Sequence, residues 1–271
     1  MRIVFFGTPA FAVPSLEALL AERAQVVGVV TQPDKPRGRS RSILVPPAVK
    51  EAAERHRLPV LQPDRPAGDV FLATLRHWQP ELGVVVAYGH LLRQEVLSLP
   101  TRGMINVHAS LLPHLRGAAP INRAILEGDR ETGISIIRME IGMDAGPILH
   151  QAATPIGPDE TAGGLSDRLA ILGADTLIEA LALLRLGRLT PRPQDHARAT
   201  FAPKIDRAVT RIDWGAPAAQ VARRIRAFDP APGAWTELDG REVKLFGASP
   251  SIGAGVPGEV LSTDSVLRIA T

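Results

Sequence analysis

Cysteine is absent from this chain of 271 residues, and aromatic side chains make up only 4% of it. Without thiols there is no disulfide, no thiolate zinc site and no cysteine nucleophile. Long apolar runs are missing as well, because the stretch from Leu82 to Tyr88 is far short of the roughly 20 residues that span a bilayer. The apolar start, Ile3 to Phe6, reaches Gly7 too soon for the core of a signal peptide. We therefore expect a cytoplasmic protein that does not contact a membrane.

Several common cofactor and catalytic motifs are missing too. Gly7-Thr8-Pro9 follows the first apolar run but lacks the other glycines of the dinucleotide fingerprint, and no P-loop with its lysine occurs. The seven histidines show neither H-x-x-x-H nor H-E-x-x-H spacing, and no serine lies in a G-x-S-x-G elbow. Nicotinamide binding, nucleoside triphosphate binding, a metal centre and a serine hydrolase triad therefore lack support in the sequence.

The composition, with 45% hydrophobic and 22% charged residues, is typical of a globular protein, and the length favours two domains. In the first half, apolar runs at Arg2 to Phe6, Val26 to Thr31 and Leu82 to Ala87 alternate with helical patterns. This alternation predicts an open doubly wound sheet with right-handed crossovers. In such sheets, ligands bind beyond the carboxyl ends of the strands.

In the second half of the chain, the sequence pattern changes after a predicted long amphipathic helix that ends at Gly187. Arg188 to Pro203 holds three prolines and little periodicity, which is typical of a linker. Short strands at close spacing beyond it predict a small open β-barrel. We expect a catalytic domain over residues 1–188, a linker over 189–203 and a second domain over 204–271. The last residues read as the middle of a strand, so we expect this barrel to be truncated.

Positive charge is concentrated in two places, although the net charge is only +3. Asp34 to Arg41 holds four basic residues and one acidic residue, and Lys204 to Arg226 holds six basic and two acidic ones. Two basic patches on an otherwise acidic chain indicate a polyanionic partner that is contacted twice. Taken alone, the patches are more typical of solvated faces and a flexible loop, because basic runs are common on protein surfaces.

Asn106 and His108 lie two residues apart on the predicted strand Met104 to His108, so both side chains leave the same face. An amide and an imidazole placed in this way offer two N–H donors to one oxygen, as an oxyanion hole requires. The carboxylate of Asp144, from a later turn, would favour the charged imidazole and accept a proton from a nucleophile. The pattern predicts acyl transfer without a covalent intermediate. Taken alone, it also fits a buried, satisfied polar pair.

The segments around these residues resemble the folate-dependent formyltransferases. The signature is an asparagine and a histidine followed by a Ser-Leu-Leu-Pro loop, which here is Asn106, His108 and Ser110 to Pro113. Further segments are similar to the members of that family that act on methionyl-tRNA. They are Gly7-Thr8-Pro9, Thr31-Gln32-Pro33-Asp34, Val86-Ala87-Tyr88-Gly89, Gly142-Met143-Asp144 and Arg211-Ile212-Asp213-Trp214. Arg116 to Ile121, which follows the Ser-Leu-Leu-Pro loop, resembles the signature of the whole family.

The resemblance implies a Rossmann-like formyltransferase domain followed by a small open, OB-like β-barrel. It implies that the chain moves the formyl group of 10-formyltetrahydrofolate to the α-amine of methionyl initiator tRNA and needs no metal. Asn106, His108 and Asp144 would be catalytic. The folate would be bound by residues of two loops, namely Tyr88, Gly89, Ser110, Leu111, Leu112 and Pro113.

The resemblance also implies that the basic patches bind the acceptor arm of the tRNA. In this family the loop after the second strand approaches the acceptor end, and here that loop carries Lys35, Arg37, Arg39 and Arg41. The helix with Arg223, Arg224 and Arg226 would make a second contact with phosphates. Such contacts position a tRNA without identifying it as the initiator.

Two rival interpretations remain open. One is a formyltransferase for an amino-sugar nucleotide or a purine precursor, against which the second domain and the arginine-rich loop argue. The other is a catalytically silent module that binds tRNA or folate, which does not explain why all three polar residues are present together. A nicotinamide-dependent dehydrogenase, the fold-level alternative, lacks the glycine pattern.

Overall fold

The structure is a computed structural model that describes residues 1–37, 43–264 and 266–271. It divides into two units. The first consists of Met1–Arg116, Gly133–Ala153 and Asp167–Thr200, and the second of Gly117–Thr132, Thr154–Ser166 and Phe201–Thr271.

The elements follow one another along the chain in the alternating order that the sequence predicts. The strands are β1 (Arg2–Gly7), β2 (Gln25–Val30), β3 (Lys35–Arg37), β4 (Ile43–Val45), β5 (Val60–Leu61), β6 (Leu82–Val86), β7 (Met104–His108), β8 (Arg116–Gly117), β9 (Glu131–Arg138), β10 (Ile148–Pro155), β11 (Phe201–Ala202), β12 (Ala234–Leu238), β13 (Arg241–Leu245), β14 (Val260–Ser262) and β15 (Arg268–Ile269). The helices are α1 (Val13–Ala21), α2 (Ala48–Arg55), α3 (Asp69–Trp78), α4 (Gln94–Leu97), α5 (Pro120–Glu127), α6 (Ala162–Arg185) and α7 (Ala218–Ala227). Short 3-10 turns occur at Ala10–Ala12 and His196–Arg198.

The first unit is built on a seven-stranded sheet with the order β10-β9-β7-β6-β1-β2-β5. The five strands β1, β2, β5, β6 and β7 are parallel, and β9 runs antiparallel to β7. All five residues of β6 are buried, as expected of a nearly continuous apolar run in a strand covered on both faces. The predicted open doubly wound sheet is confirmed, with the addition of the antiparallel strand β9 and its neighbour β10 at one edge.

The strand order reverses at β1, which lies between β2 and β6. Open α/β sheets bind ligands at the carboxyl ends of the strands on either side of such a reversal. Here those ends carry Thr8 after β1 and Tyr88 after β6, while His108 ends the neighbouring β7. Three of the motifs are thus brought to one edge of the sheet.

The second unit has its own core, in which Val221 and Ile225 of α7 and Phe228 directly after it are buried with Ile212 and Ala234. Helix α5 joins this unit because it packs against α7, where Asn122 Nδ2 donates a hydrogen bond of 2.7 Å to the carbonyl oxygen of Ala227. From Ala234 onward, the described strands form two separate antiparallel pairs, β12 with β13 and β14 with β15. The two pairs are separate sheets, so the small open β-barrel stays a prediction from the sequence.

The stretch 189–203 is more ordered than a linker with few contacts would be. Gln194 is buried, and the backbone N–H of Leu115 donates a hydrogen bond of 2.8 Å to Thr200 Oγ1. These contacts place residues up to Thr200 in the first unit. In the part of the chain that the structure describes, no helix is both long and apolar enough to cross a membrane.

Candidate active site

The carboxylate of Asp144 lies between the side chains of Asn106 and His108. Asn106 Nδ2 donates a hydrogen bond of 3.2 Å to Asp144 Oδ1, and His108 Nδ1 lies 3.5 Å from Asp144 Oδ2. Strand β7 supplies the amide and the ring from alternate positions of one face, while Asp144 comes from the turn between β9 and β10. The structure therefore brings the three predicted residues together.

The ring of His108 is held on its other side by the loop that follows β7. His108 Nε2 lies 2.9 Å from the carbonyl oxygen of Leu115, and the residue is buried. Because a carbonyl oxygen only accepts, Nε2 must carry a proton in this contact. Asn106 Nδ2 faces Asp144 Oδ1 and His108 Nδ1 faces Asp144 Oδ2, so the Nδ1 edge of the ring is the one nearest the carboxylate.

A small cavity of about 20 Å³ lies beside Asn106 and Asp144. This volume is enough for about one water molecule. Its other walls come from the end of β9 and the turn after it, namely Ile137, Met139, Glu140, Gly142, Ala145 and Gly146. A single water molecule at this place would lie beside Asn106 and Asp144.

The turn that carries Asp144 has an unusual backbone. Asp144 has a φ of 50° and Gly142 a φ of 145°, which are values that side chains with a Cβ rarely adopt. A Cβ on Gly146 would overlap the carbonyl oxygen of Arg138, so the chain passes too close to β9 for any other residue. This path of the backbone explains why glycine occurs at positions 142 and 146.

One side chain that the motifs do not indicate holds this turn. Gln194 Nε2 donates hydrogen bonds of 2.8 Å to the carbonyl oxygen of Asp144 and 2.7 Å to that of Gly146. A lone glutamine in a proline-rich stretch without periodicity carries no signal in the sequence, because its partners lie about fifty residues away along the chain. It was therefore absent from the predicted site.

Hydrogen bonds to neighbouring residues hold the predicted folate loop, Ser110 to Pro113, in place. Ser110 Oγ donates a hydrogen bond of 2.5 Å to the carbonyl oxygen of His114, and Ser135 Oγ donates one of 2.6 Å to the carbonyl oxygen of Ser110. Leu112 is buried against Ile137 and Ile148. Ser110 is buried as well, so the side chains of Leu111 and Pro113 are the parts of the loop that remain partly exposed.

Tyr88 has its side chain in the core of the sheet. The residue is 1% exposed, and its ring packs edge to face on Phe6 with 5.4 Å between the ring centroids. Burial raises the pKa of the Tyr88 hydroxyl to about 12, and within the described residues this hydroxyl has no hydrogen-bond partner. Tyr88 can thus line a ligand pocket only through its main chain.

The predicted basic loop is described in part. Lys35 is exposed at the start of β3, where its Nζ donates a hydrogen bond of 2.6 Å to Gln32 Oε1. Arg37 ends β3, and Arg39 and Arg41 lie outside the described residues. Hydrogen bonds from Gln62 and then from Lys50 hold the pKa of Asp34 below its usual value at the base of this loop.

The three arginines of α7 do not form an exposed basic face. Arg226 is 7% exposed and donates a hydrogen bond of 2.9 Å to the carbonyl oxygen of Ala248. Arg224 donates one of 2.6 Å to the carbonyl oxygen of Val209, and Arg223 is partly buried beside Gly128. A helix that packs on one side buries the cations on that side, and the periodicity of charge alone does not show which side this is. In the same unit Arg207 and Arg211 are exposed, and both guanidinium groups lie over the ring of Trp235.

Comparison with known proteins identifies the relatives of this chain. Residues 1–181 match the family model described as "Formyl transferase", and residues 204–271 match "Formyl transferase, C-terminal domain". The methionyl-tRNA formyltransferase of Pseudomonas putida (strain W619) is 49% identical over 262 residues, which cover 97% of this chain and 84% of that protein.

Two solved structures share the fold at low sequence identity. HypX from Aquifex aeolicus, in complex with tetrahydrofolic acid, superposes with a TM-score of 0.72 at 24% identity over 100% of this chain and 42% of that one. A sugar N-formyltransferase from Shewanella sp. FDAARGOS_354 gives a TM-score of 0.71 at 17% identity, with 93% and 99% coverage.

Proposed function

The chain belongs to the formyl transferase family, and we propose that within this family it moves the formyl group of 10-formyltetrahydrofolate to the α-amine of methionyl initiator tRNA. The family that the motifs predict is thereby confirmed. The proposal adds the donor, the acceptor and the roles of the individual residues.

The observation that carries the proposal is the convergence of Asn106, His108 and Asp144 at the carboxyl end of β7. Transfer of an acyl group to an amine needs donors for the oxyanion and a base for the amine proton, but no nucleophile from the protein. An amide, an imidazole and a carboxylate are the groups that supply these roles.

The donor fits the loop that follows the trio. Ser110 to Pro113 begins two residues after His108, and its hydroxyl and main-chain groups are held by Ser135 and His114. This arrangement fixes the loop and leaves the apolar side chains of Leu111 and Pro113 partly exposed, which suits the flat, largely apolar face of a pterin. The fold neighbour HypX, in complex with tetrahydrofolic acid, is consistent with this donor.

The identity of the acceptor is inferred from the relatives of this chain and from its basic residues. A relative at 49% identity is named a methionyl-tRNA formyltransferase, whereas the sugar N-formyltransferase is only 17% identical. A tRNA also accounts for the basic residues at Lys35, Arg37, Arg39 and Arg41, because a polyanion needs several cationic contacts. Such an acceptor assigns the reaction to the cytoplasm.

The proposed reaction runs through a tetrahedral intermediate. The neutral α-amine attacks the formyl carbon, a C–N bond forms, and the carbonyl oxygen takes up negative charge. One Asn106 N–H is used by Asp144, so the second hydrogen of this amide is the one directed to the oxyanion. Protonated His108 shares its Nδ1 proton between the oxyanion and Asp144, since Nε2 is held by Leu115.

Asp144 then accepts the proton of the attacking amine, through a water molecule in the adjacent cavity. The bond between the formyl carbon and N10 breaks, and N10 leaves with the electron pair. N10 takes up the proton that Asp144 received from the amine, so Asp144 returns to its carboxylate form. The products are formylmethionyl-tRNA and tetrahydrofolate, so atoms and charges balance without an added oxidant or reductant.

The test is incubation of the protein and 10-formyltetrahydrofolate with one acceptor at a time. The acceptors are methionyl initiator tRNA, an amino-sugar nucleotide and glycinamide ribonucleotide, and the readout is release of tetrahydrofolate. We expect turnover with the tRNA alone. Turnover confined to either small acceptor would overturn the assignment of the acceptor, and binding of folate and tRNA without turnover would favour a silent module.

A further inference from the structure

Gln194 uses all of its side-chain hydrogen-bonding groups inside the first unit. Its Nε2 donates to the carbonyl oxygens of Asp144 and Gly146, and its Oε1 accepts from Arg116 Nε at 3.1 Å and Nη2 at 2.7 Å. Gln194 is 6% exposed and Arg116 is 5% exposed. A bond made away from water in this way contributes more to local order than one on the surface.

The orientation of the Gln194 amide follows from its partners. A guanidinium only donates hydrogen bonds and a carbonyl oxygen only accepts them, so the amide oxygen must face Arg116 and the nitrogen must face the turn. Arg116 Nη2 also lies 3.0 Å from His196 Nδ1, which holds the guanidinium from a second side. Arg116 therefore sets the direction in which Gln194 donates.

The contact between Arg116 and Gln194 joins the two sides of the candidate active site. Arg116 follows directly after Leu115, whose carbonyl oxygen contacts His108 Nε2. Gln194 holds the carbonyl oxygen of Asp144, whose carboxylate faces His108 Nδ1 at 3.5 Å. The pair thus links the loop that holds the ring to the turn that holds the carboxylate.

We propose that Arg116 and Gln194 are positioning residues for Asp144, which set its distance from His108 and Asn106 during formyl transfer. This inference rests on the proposed function, because it assigns the effect to the reaction of that site. The turn needs such a support, since Asp144 lies at a positive φ between two glycines and belongs to no strand. A misplacement of about 1 Å in an active site is enough to lower a rate by about a hundredfold.

Two variants remove the donors to the turn in different ways. Gln194→Glu has nearly the same size and keeps a partner for Arg116, but turns an acceptor oxygen toward the carbonyl groups of Asp144 and Gly146. The double variant Arg116→Met, Gln194→Met removes both polar partners together, which avoids leaving a buried charge without its partner. For each we expect kcat to fall by about tenfold or more, with the KM values for folate and tRNA within about twofold of the parent.

A double-mutant cycle separates positioning from general damage. In an Asp144→Ala background, Gln194→Glu should reduce kcat by less than about twofold further, because its effect is transmitted through the missing carboxylate. Equal losses in the two backgrounds, or a parental kcat in Gln194→Glu, would overturn the inference while the parent protein still formylates methionyl-tRNA. An inactive parent protein would instead contradict the proposed function.

Amide hydrogen exchange tests the positioning role without relying on enzyme activity. We expect faster exchange at Met143, Asp144, Ala145 and Gly146 in both variants, and unchanged exchange in β7. The matched control is Gln151→Met, since Gln151 Nε2 donates to Leu112 and Ser135 rather than to this turn. The control should raise the KM for folate and leave exchange at residues 143–146 unchanged. Unchanged exchange in the Gln194 variants would overturn the positioning role.

Discussion

Gln32 Nε2 donates a hydrogen bond of 3.0 Å to the carbonyl oxygen of Tyr88, and so joins the segments that follow β2 and β6. The same carbonyl oxygen accepts a hydrogen bond of 2.9 Å from Thr8 Oγ1, which follows β1. Three neighbouring strand ends are thereby tied together at the place where the strand order of the sheet reverses. The motif residues Thr8 and Gln32 act here as supports for the backbone around Gly89.

Gly89 lies against this hydrogen bond, so an alanine there should be costly. Gly89 has a φ of 85°, and a Cβ on it would overlap Gln32 Nε2. Gly103 is the matched control because its φ is 74° and no atom lies within 4 Å of the added Cβ. We expect Gly103→Ala to lower the free energy of unfolding by about 1 kcal/mol, and Gly89→Ala to lower it by about 1 kcal/mol more, because the Gln32 side chain must give up its hydrogen bond to Tyr88 to move aside. Urea denaturation of both variants measures this, and equal losses would mean that the overlap is relieved without cost.

Tyr88→Phe should leave folate binding unchanged and alter the alkaline stability. The buried hydroxyl has no partner among the described residues, so its removal should cost nothing or stabilise the fold by up to about 1 kcal/mol. Burial raises the pKa of Tyr88 to about 12 in the folded protein. The parent should therefore lose stability as the pH rises from about 10, the usual tyrosine value, toward the folded value, because only the unfolded chain releases the proton.

In Tyr88→Phe this alkaline loss should be smaller. Urea unfolding at pH 8 and near pH 11 measures the difference between the parent and the variant. The same pH dependence in both proteins would show that Tyr88 is not the group responsible.

Replacement of Asn106, His108 or Asp144 by alanine should lower kcat by about a hundredfold or more in each case, because each change removes an interaction made in the transition state. Binding of folate, measured by titration, should change far less since the loop from Ser110 to Pro113 is held by Ser135 and His114. Near-parental turnover of His108→Ala would contradict the mechanism.

Reversal of charge at Arg39 and Arg41 should raise the KM for methionyl-tRNA and leave the KM for folate unchanged. Each lost phosphate contact should lower the slope of log affinity against log salt by about one unit. Steady-state kinetics at several salt concentrations give both quantities. Identical salt slopes for the parent and the double variant would exclude these two arginines from the tRNA contact.

Arg226→Met should act on stability more than on tRNA binding. The guanidinium of Arg226 is buried and donates to the carbonyl oxygen of Ala248, so its loss should cost about 1–3 kcal/mol. Arg241→Met, at an exposed position of β13, is the control and should change stability by less than about 0.5 kcal/mol. A reduced salt slope for tRNA binding in Arg226→Met, with stability unchanged, would support the phosphate contact predicted from the sequence instead.

The sequence by itself determined the main sheet and the composition of the trio. The apolar runs of β1 and β6 are local signals of buried parallel strands, and the spacing of Asn106 and His108 places both on one face of β7 whatever surrounds them. The motif from His108 to Pro113 identified the family because all of its residues are adjacent in the sequence. None of these conclusions required knowledge of contacts between distant segments.

The tertiary structure alone decided which way the other side chains face. Tyr88 turns its ring into the core, Arg226 is buried beside Ala248, and Gln194 reaches Asp144 from a stretch that looks like a linker. Each of these outcomes depends on packing between segments that are far apart along the chain, and burial of a polar group is tolerated only where a distant partner satisfies it. Residue type and periodicity report a local preference, and they contain no information about that partner.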